Sequence, residues 1–466
     1  MSTASPSERS VKTWPDYRAV WRWHFYASLF SMPFVILLSL TGAVYLFKPQ
    51  IEAWNDRHFD QLTAASPATT PAQQVQAAIA AFPGSSATAY ELPPSEHAAA
   101  RVIVRNEGQA TRVYVHPGDL SILHSVPEDQ RLMRTMFRLH GELLMGDRGS
   151  NIVELAACWT IVMLLTGLFL WWPRNANGMG GVLYPRLRMG NRIFWRDIHS
   201  VTGMWISFFA LFLLATGLPW AKFWGTYFKE VRRVTGTAVV QQDWTVGSER
   251  SGGGEHAGHG GSPRAGGRRG AGPGMPHDLE PLNRVVAAVT PLNLPDPIVV
   301  AAPAAGSKDW SAKSMTGNRP KRVNLTVDGS TGAITSREDF KDRHWVDRIV
   351  GIGIAAHEGQ LFGWLNQLLG LMTAGGLILL SVSGVILWWR RREVGVLGAP
   401  KMILNPRFSP GLVAIIVLLG AYLPMFGASL LLVLILEWAV LCRIPPVRDW
   451  LGLKRPTSAA VLGGSP

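Results

Sequence analysis

The chain has 466 residues, 47% of them apolar and only 17% charged, with a formal net charge of +13. Its apolar residues are gathered into a few uncharged blocks, which excludes an ordinary soluble globular protein. Its positive charge sits mainly in short segments beside those blocks, so nucleic acid is not needed to explain the basicity and is not an expected partner.

Polar residues run to Trp21, and the first apolar block is too long for the core of a signal peptide, so residues 1–22 are expected to be a cytoplasmic segment. Residues 25–47 carry no charge, and 23–47 form the first predicted membrane span. The segment 48–150 reads as a small α+β module. It has a helix-like stretch at 72–81, alternating runs at 101–105 and 111–115, and a turn at His116-Pro117-Gly118-Asp119. The second span is 151–172, and a basic loop, 173–198, leads to the third, 199–221. The segment 222–360 repeats the α+β pattern, with a helix-like 279–289 and a run at 322–327 entering the turn Asp328-Gly329-Ser330-Thr331-Gly332. Within it, 248–278 is rich in Gly, His and Arg and too poor in apolar residues to fold. His256, His259 and His277 lie there, which fits a solvated linker or, alternatively, a flexible metal scavenger. The fourth span is 361–389 and a loop follows at 390–409. Residues 410–442 predict a hairpin of two short spans turning at Leu423-Pro424-Met425-Phe426-Gly427, and 443–466 form a tail. The expected fold is a mainly α membrane protein. About six transmembrane helices form a bundle built on a parallel internal repeat, with two small α+β modules outside.

Orientation follows from the short loops. Arg174, Arg186, Arg188, Arg192 and Arg196 face a single Asp197 in the first loop; Arg390, Arg391, Arg392, Lys401 and Arg407 face a single Glu393 in the second. Arg9, Lys12, Arg18 and Arg22 precede the first span, and Arg443, Arg448, Lys454 and Arg455 follow the last. The positive-inside rule puts all four segments, and both termini, in the cytoplasm. The two modules are then on the other side.

Two intervals recur. Thr41-Gly42 follows His24 by 17 and 18 residues, and Thr216-Gly217 follows His199 by the same (216−199, 217−199). Trp171-Trp172 follows His140 by 31 and 32, as Trp388-Trp389 follows His357 (388−357, 389−357). The repeat unit is an outgoing helix led by a histidine, a module, a second histidine and a returning helix ending in Trp-Trp. Parallel repeats pack about a pseudo-twofold axis along the membrane normal. That pairs His24 with His199 near the inner surface and His140 with His357 near the outer one. At 1.5 Å per residue each inner histidine is about 27 Å from the far end of its own helix, close to a bilayer's thickness.

A lone histidine at a membrane boundary is ordinarily an interfacial or capping residue. Four in this arrangement read as ligands. Zinc takes three or four protein ligands, and each layer offers two. Cys158 and Cys442 lie in apolar spans, where a reduced buried thiol is the plain interpretation. A haem iron needs only two axial ligands, and two histidines give a low-spin electron-transfer site. No Cys-x-x-Cys-His occurs, so the haems would be non-covalent, b-type. Ser28, Gly203, Gly141 and Gly359 would leave room for a macrocycle, and Arg22, Arg196 and Arg138 would pair with propionates or act as interface anchors. His58, His97, His116, His124 and His344 have no repeat partner and read as surface residues of the modules. The paired tryptophans read first as interface anchors.

The chain resembles the PepSY-associated transmembrane family, whose members include iron-regulated inner-membrane proteins and ferric-siderophore reductases of Gram-negative bacteria. The resemblance rests on Trp23-His24 through Leu40-Thr41-Gly42 and on Leu139-His140-Gly141-Glu142-Leu143 through Thr166–Arg174. It continues in Arg196-Asp197-Ile198-His199-Ser200-Val201-Thr202-Gly203, in His357-Glu358-Gly359-Gln360-Leu361-Phe362-Gly363 and in 384–389, covering roughly 18–393. The turn at 328–332 is similar to the PepSY signature; His116-Pro117-Gly118-Asp119 departs from it, and the 248–278 insertion is outside the pattern. The resemblance implies a multi-pass protein of the bacterial inner membrane whose four matched histidines ligate two b haems, passing electrons outward to a periplasmic ferric siderophore.

Electrons crossing the low-dielectric core without a moving charge suit such a carrier. Reduction would loosen a hard-oxygen chelator's hold on its iron. The sequence has no Gly-x-Gly-x-x-Gly after a strand, so a separate cytoplasmic reductase or the quinol pool would supply electrons. Two other function classes stay open: a haem-free scaffold or sensor with ligand-binding modules, and a siderophore permease. The permease is weakened by spans without an internal ion pair, Glu154 and Glu437 lying near span ends.

Overall fold

The computed structural model of the chain describes residues 16–62, 69–174, 178–237, 274–303, 307–400 and 410–453. Among the described residues five helices are long and apolar enough to cross a membrane: Tyr17–Tyr45, Asp147–Trp171, Asn191–Trp220, Trp364–Arg391 and Pro424–Arg443. The first four coincide with the uncharged blocks. The fifth predicted span, the first arm of the hairpin, is only Pro410–Tyr422, 13 residues, or about 20 Å of helix against a core of about 30 Å. The break falls at Leu423, as expected, with Pro424 opening the next helix. A Cβ placed on Gly427 would lie 3.3 Å from the Gly420 Cα, so the two backbones touch across the turn. A side chain at 427 would crowd the neighbouring helix.

The described residues divide into two compact units. One holds the described parts of Met1–Ser39, Glu154–Leu214 and Gly375–Pro466; the other holds Leu40–Val153 and Ala215–Ala374.

In the first unit, buried polar groups at the helix starts tie down the basic loops. Asp197, fully buried, accepts from Arg186 Nε (2.7 Å), Arg186 Nη2 (3.1 Å) and Arg196 Nη2 (2.9 Å). At the matching place two residues before His24, buried Arg22 donates to the Pro400 carbonyl at 2.5 Å. One tryptophan of each pair also holds a loop: Trp171 Nε1 donates to Val182 O (3.0 Å) and Trp388 Nε1 to Leu397 O (2.7 Å). Their neighbours Trp172 and Trp389 are exposed, as membrane-interface anchors would be.

In the second unit the expectation of two separate modules is corrected. The eight strands among the described residues form one antiparallel sheet: β1 (Ser86–Glu91), β2 (Ala100–Asn106), β3 (Gln109–Val115), β4 (Ile122–Pro127), β5 (Ile298–Ala301), β6 (Asp309–Ser314), β7 (Val323–Asp328) and β8 (Ile334–Asp339). The order is β4-β3-β2-β1-β5-β6-β7-β8, so the four strands of each repeat join through β1 and β5. These equivalent strands pair antiparallel, Tyr90 opposite Val300, as a local twofold requires. The helices Pro71–Ala81 and Glu280–Val289 cover one face, and their Val75, Ala78, Leu282, Val285 and Val289 enter a shared apolar core with Val102, Val113, Val300, Trp310 and Leu325. Thr70 and Gln73 form a capping box ahead of Pro71, which fixes where the first of these helices begins.

The opposite face of β1–β3 carries charge. Arg112 binds Glu91 and Glu128, each at 2.6 Å, and Arg101 binds Asp60 at 2.7 Å. Burial alone would lower the Arg112 pKa, but Glu91 and Glu128 outweigh it and hold the guanidinium well above its usual value. Burial likewise works to raise Glu128, and Arg112 and Arg131 override it, so its carboxyl lies below the usual range. The two β-turns explain the departure at His116. Asp328 Oδ1 accepts from the backbone N–H of Ser330 (2.7 Å) and Thr331 (3.0 Å). His116 Nδ1 does the same for Gly118 (3.1 Å) and Asp119 (3.3 Å). An imidazole nitrogen thus stands where the second turn has a carboxylate oxygen.

Candidate functional site

The four repeat-matched histidines come together in two pairs, one within each unit. In the first unit His24, on the first long helix, and His199, on Asn191–Gly217, have ring centroids 6.4 Å apart and planes crossing at 80°. In the second unit His140 and His357 are also 6.4 Å apart, with planes at 83°. These two histidines are not on the returning helices themselves. His140 sits on a separate helix, Leu132–Glu142, and His357 ends another, Trp345–His357. The first of those stops at Leu143, in the left-handed conformation at φ 50°.

Each imidazole has a seat made of a hydroxyl residue and the glycine after it. His24 Nδ1 is 3.2 Å from Thr166 Oγ1 and 2.9 Å from Met163 O. His199 Nδ1 is 3.0 Å from Ser383 Oγ and 3.2 Å from Leu380 O. His140 Nδ1 is 3.0 Å from Thr41 Oγ1, and His357 Nδ1 is 3.1 Å from Thr216 Oγ1. The glycines Gly167, Gly384, Gly42 and Gly217 are pressed so close that a Cβ on each would lie 3.1, 3.4, 3.2 and 3.4 Å from the Cε1 of His24, His199, His140 and His357 respectively. Sequence reasoning missed these seats, although it used Thr41-Gly42 and Thr216-Gly217 as spacing marks. A further recurring interval was available: His140 to Thr166 and His357 to Ser383 are both 26 residues (166−140, 383−357).

The small residues expected beside the ligands have varied surroundings. A Cβ on Gly203 would meet Leu380, one on Gly359 would meet Leu46 and Gln367, and one on Gly141 would meet nothing within 4 Å. Ser28 Oγ donates to the His24 carbonyl at 2.6 Å. Of the candidate propionate partners, Arg22 holds Pro400 and Tyr26, and Arg196 pairs with Asp197. Arg138, one-third exposed, lies 3.8 Å from Glu142. His256 and His259 are outside the described residues.

The donor sets can be tested against the group they suggest. Two imidazoles bonded through Nε2 to opposite sides of one metal ion have centroids about 6.2–6.4 Å apart, from metal–nitrogen bonds of about 2.0–2.1 Å and roughly 1.1 Å from nitrogen to ring centre. Both pairs match. With Nδ1 turned into its seat, Nε2 is the nitrogen placed to ligate. Among the described residues no group of three or more His, Cys, Asp or Glu is placed to hold a metal, so neither pair is a zinc-type cluster. A couple of imidazoles suits an ion that brings its remaining ligands with it, as haem iron does.

The sequence profile described as PepSY-associated TM region matches residues 21–391, 371 of 466 positions and all four histidines. The chain belongs to this family. It is thus a membrane protein of the PepSY-associated type, and the matched region contains both histidine pairs with all four of their seats. No curated protein matches it.

Proposed function

We propose that this PepSY-associated protein is a transmembrane oxidoreductase binding two b-type haems, one between His24 and His199 and one between His140 and His357. It would pass electrons from the cytoplasmic side of a bacterial inner membrane to a periplasmic acceptor, with ferric siderophore as the acceptor class. A cytoplasmic reductase or the quinol pool would donate. Both termini would then be cytoplasmic, in line with the basic loops. The single observation that carries the reading is the pair geometry: two half-buried histidine couples of one spacing, each ring held by Nδ1. Bound haem iron supplies a one-electron couple that changes state without carrying a charged side chain through the low-dielectric core. Thr166, Ser383, Thr41 and Thr216 orient the rings, and the seat glycines let the rings come close. One electron per ferric ion gives ferrous iron, which hard-oxygen chelators hold less tightly.

The test is an absorption spectrum of protein purified from haem-replete cells. A Soret band, a reduced α band and about two haems per chain are expected for bis-histidine sites. A colourless preparation would overturn the reading in favour of a haem-free scaffold or permease. Two glycine variants add a sharper outcome. Gly167→Val puts branched carbons where a single Cβ already lies 3.1 Å from the His24 ring, and is expected to displace that ring and lose one haem of the two. Gly375→Ala, with nothing within 4 Å of its Cβ, is expected to keep both. Pyridine haemochrome assay of the two proteins makes the comparison.

A further inference from the structure

We infer that the seat hydroxyls of Thr166, Ser383, Thr41 and Thr216 are positioning residues that fix the tautomer and plane of each ligand and lower the reduction potential of the haem it holds. This rests on the two-haem reading.

Hydrogen-bond chemistry fixes the tautomer of the first pair. The Thr166 hydroxyl has one proton, and it is donated back into its own helix, to Val162 O at 2.7 Å or Met163 O at 3.0 Å. Towards His24 it therefore accepts. The Met163 carbonyl only accepts. Both partners of His24 Nδ1 thus require an N–H there, and Nε2 carries the lone pair. Ser383 repeats the arrangement: its hydroxyl donates to Leu380 O at 3.1 Å, and the His199 Nδ1–H faces Ser383 Oγ and Leu380 O. Each imidazole arrives as a neutral ligand with the correct nitrogen bare. In the second pair the Thr41 and Thr216 hydroxyls stand at the same place, 3.0 and 3.1 Å from Nδ1 of His140 and His357.

Two consequences follow. An N–H held by oxygen acceptors makes the imidazole a stronger donor at its other nitrogen, and a stronger donor favours ferric over ferrous iron. The seat also sets the ring's rotation, since two oxygens grip Nδ1 while a glycine lies against Cε1. The two rings of a pair are seated on different helices, Thr166 on Asp147–Trp171 and Ser383 on Trp364–Arg391. Their near-perpendicular planes, 80° and 83°, are therefore set by four independent seats.

The experiment compares the full-length haem protein with Thr166→Val, which keeps the side chain's shape and deletes the acceptor, and with Thr166→Ser, which restores it. Redox titration and the ferric low-spin EPR signal, whose anisotropy reports the angle between ligand planes, are the readouts. In Thr166→Val one of the two haems should titrate at a higher potential. A tenfold shift in its oxidised-to-reduced ratio would read as about 59 mV for a one-electron couple. The EPR signal of that haem should move, and Thr166→Ser should return both values towards wild type. Loss of one haem in Thr166→Val with retention in Thr166→Ser also supports the role. Two haems with unchanged potential and EPR in Thr166→Val would overturn it while leaving the function intact. A wild type without haem would overturn both.

Discussion

His24→Ala and His199→Ala are each expected to reduce haem content from about two per chain to about one, and to remove the same haem. The reason is geometric. His24 and His199 are one couple, 6.4 Å between ring centres, and removing either ring would leave the proposed haem with a single protein ligand. His140→Ala and His357→Ala should remove the other haem, because those rings form the second couple. The remaining haem in every case should still be reduced by dithionite, since its own ligands and seats are untouched. Electron passage to an external ferric chelate should fall to background in all four variants, because each would break the proposed relay, which needs both sites. Reduced-minus-oxidised spectra and low-temperature EPR distinguish the two haems. The double variant His24→Ala/His199→Ala should look like either single one. If His24→Ala and His140→Ala removed the same haem, ligation would run within a repeat and the pairing would be wrong.

The pairing was legible in the sequence because it depends on two simple quantities, span length and interval. An uncharged stretch of 18 or more residues declares itself, and matched intervals locate matched histidines. Other parts were hidden for physical reasons. A Thr-Gly inside an apolar helix is what close helix packing ordinarily uses, so nothing in Thr166-Gly167 marks it as an imidazole seat until His24 is seen against it. Two separate modules were expected, since the pairing of β1 with β5 joins strands about 200 residues apart and neither strand's pattern names its partner. The strands β4 and β8 at the sheet's edges are largely exposed and lack the alternation that revealed β2 and β3. The helices that present His140 and His357 were missed as separate elements. Leu132–Glu142 is ended by a leucine in the left-handed region, a place where glycine is the usual signal. The insertion at 248–278 falls outside the described residues except for its last five. Met275 among these donates its backbone N–H to Ala87 O and packs on the sheet's core.

Asp347→Ala is expected to be the most damaging single change outside the ligands. Asp347 lies in the first turn of Trp345–His357, the helix that ends in the proposed ligand His357. Arg232, on Lys222–Val234, grips it with two bonds, Nη1 to Oδ1 at 2.7 Å and Nη2 to Oδ2 at 3.1 Å, and the arginine is only 2% exposed. Truncating one partner of such a buried pair costs about 3–5 kcal/mol, because the other charge keeps its desolvation penalty and loses its counter-ion. The same turn is held by the His344 side chain, which accepts from Val346 N at 3.3 Å. That cap is worth about 1 kcal/mol, too little to hold the helix in place alone. Asp347→Ala should therefore lower the melting temperature and release the haem of the His140–His357 couple, while the His24–His199 haem is retained. Arg233→Ala provides the contrast. It breaks the fully exposed Arg233–Glu230 pair one position away, and solvent-screened pairs contribute little, so melting temperature and both haems should be unchanged. Replacing both members of the buried pair together, Arg232→Met with Asp347→Leu, should recover much of the loss. With neither charge left, no desolvated ion remains uncompensated. Thermal melts followed at the Soret band, with haem counted afterwards, distinguish these outcomes. Equal melting for Asp347→Ala and Arg233→Ala would mean that the buried pair does not anchor the ligand helix.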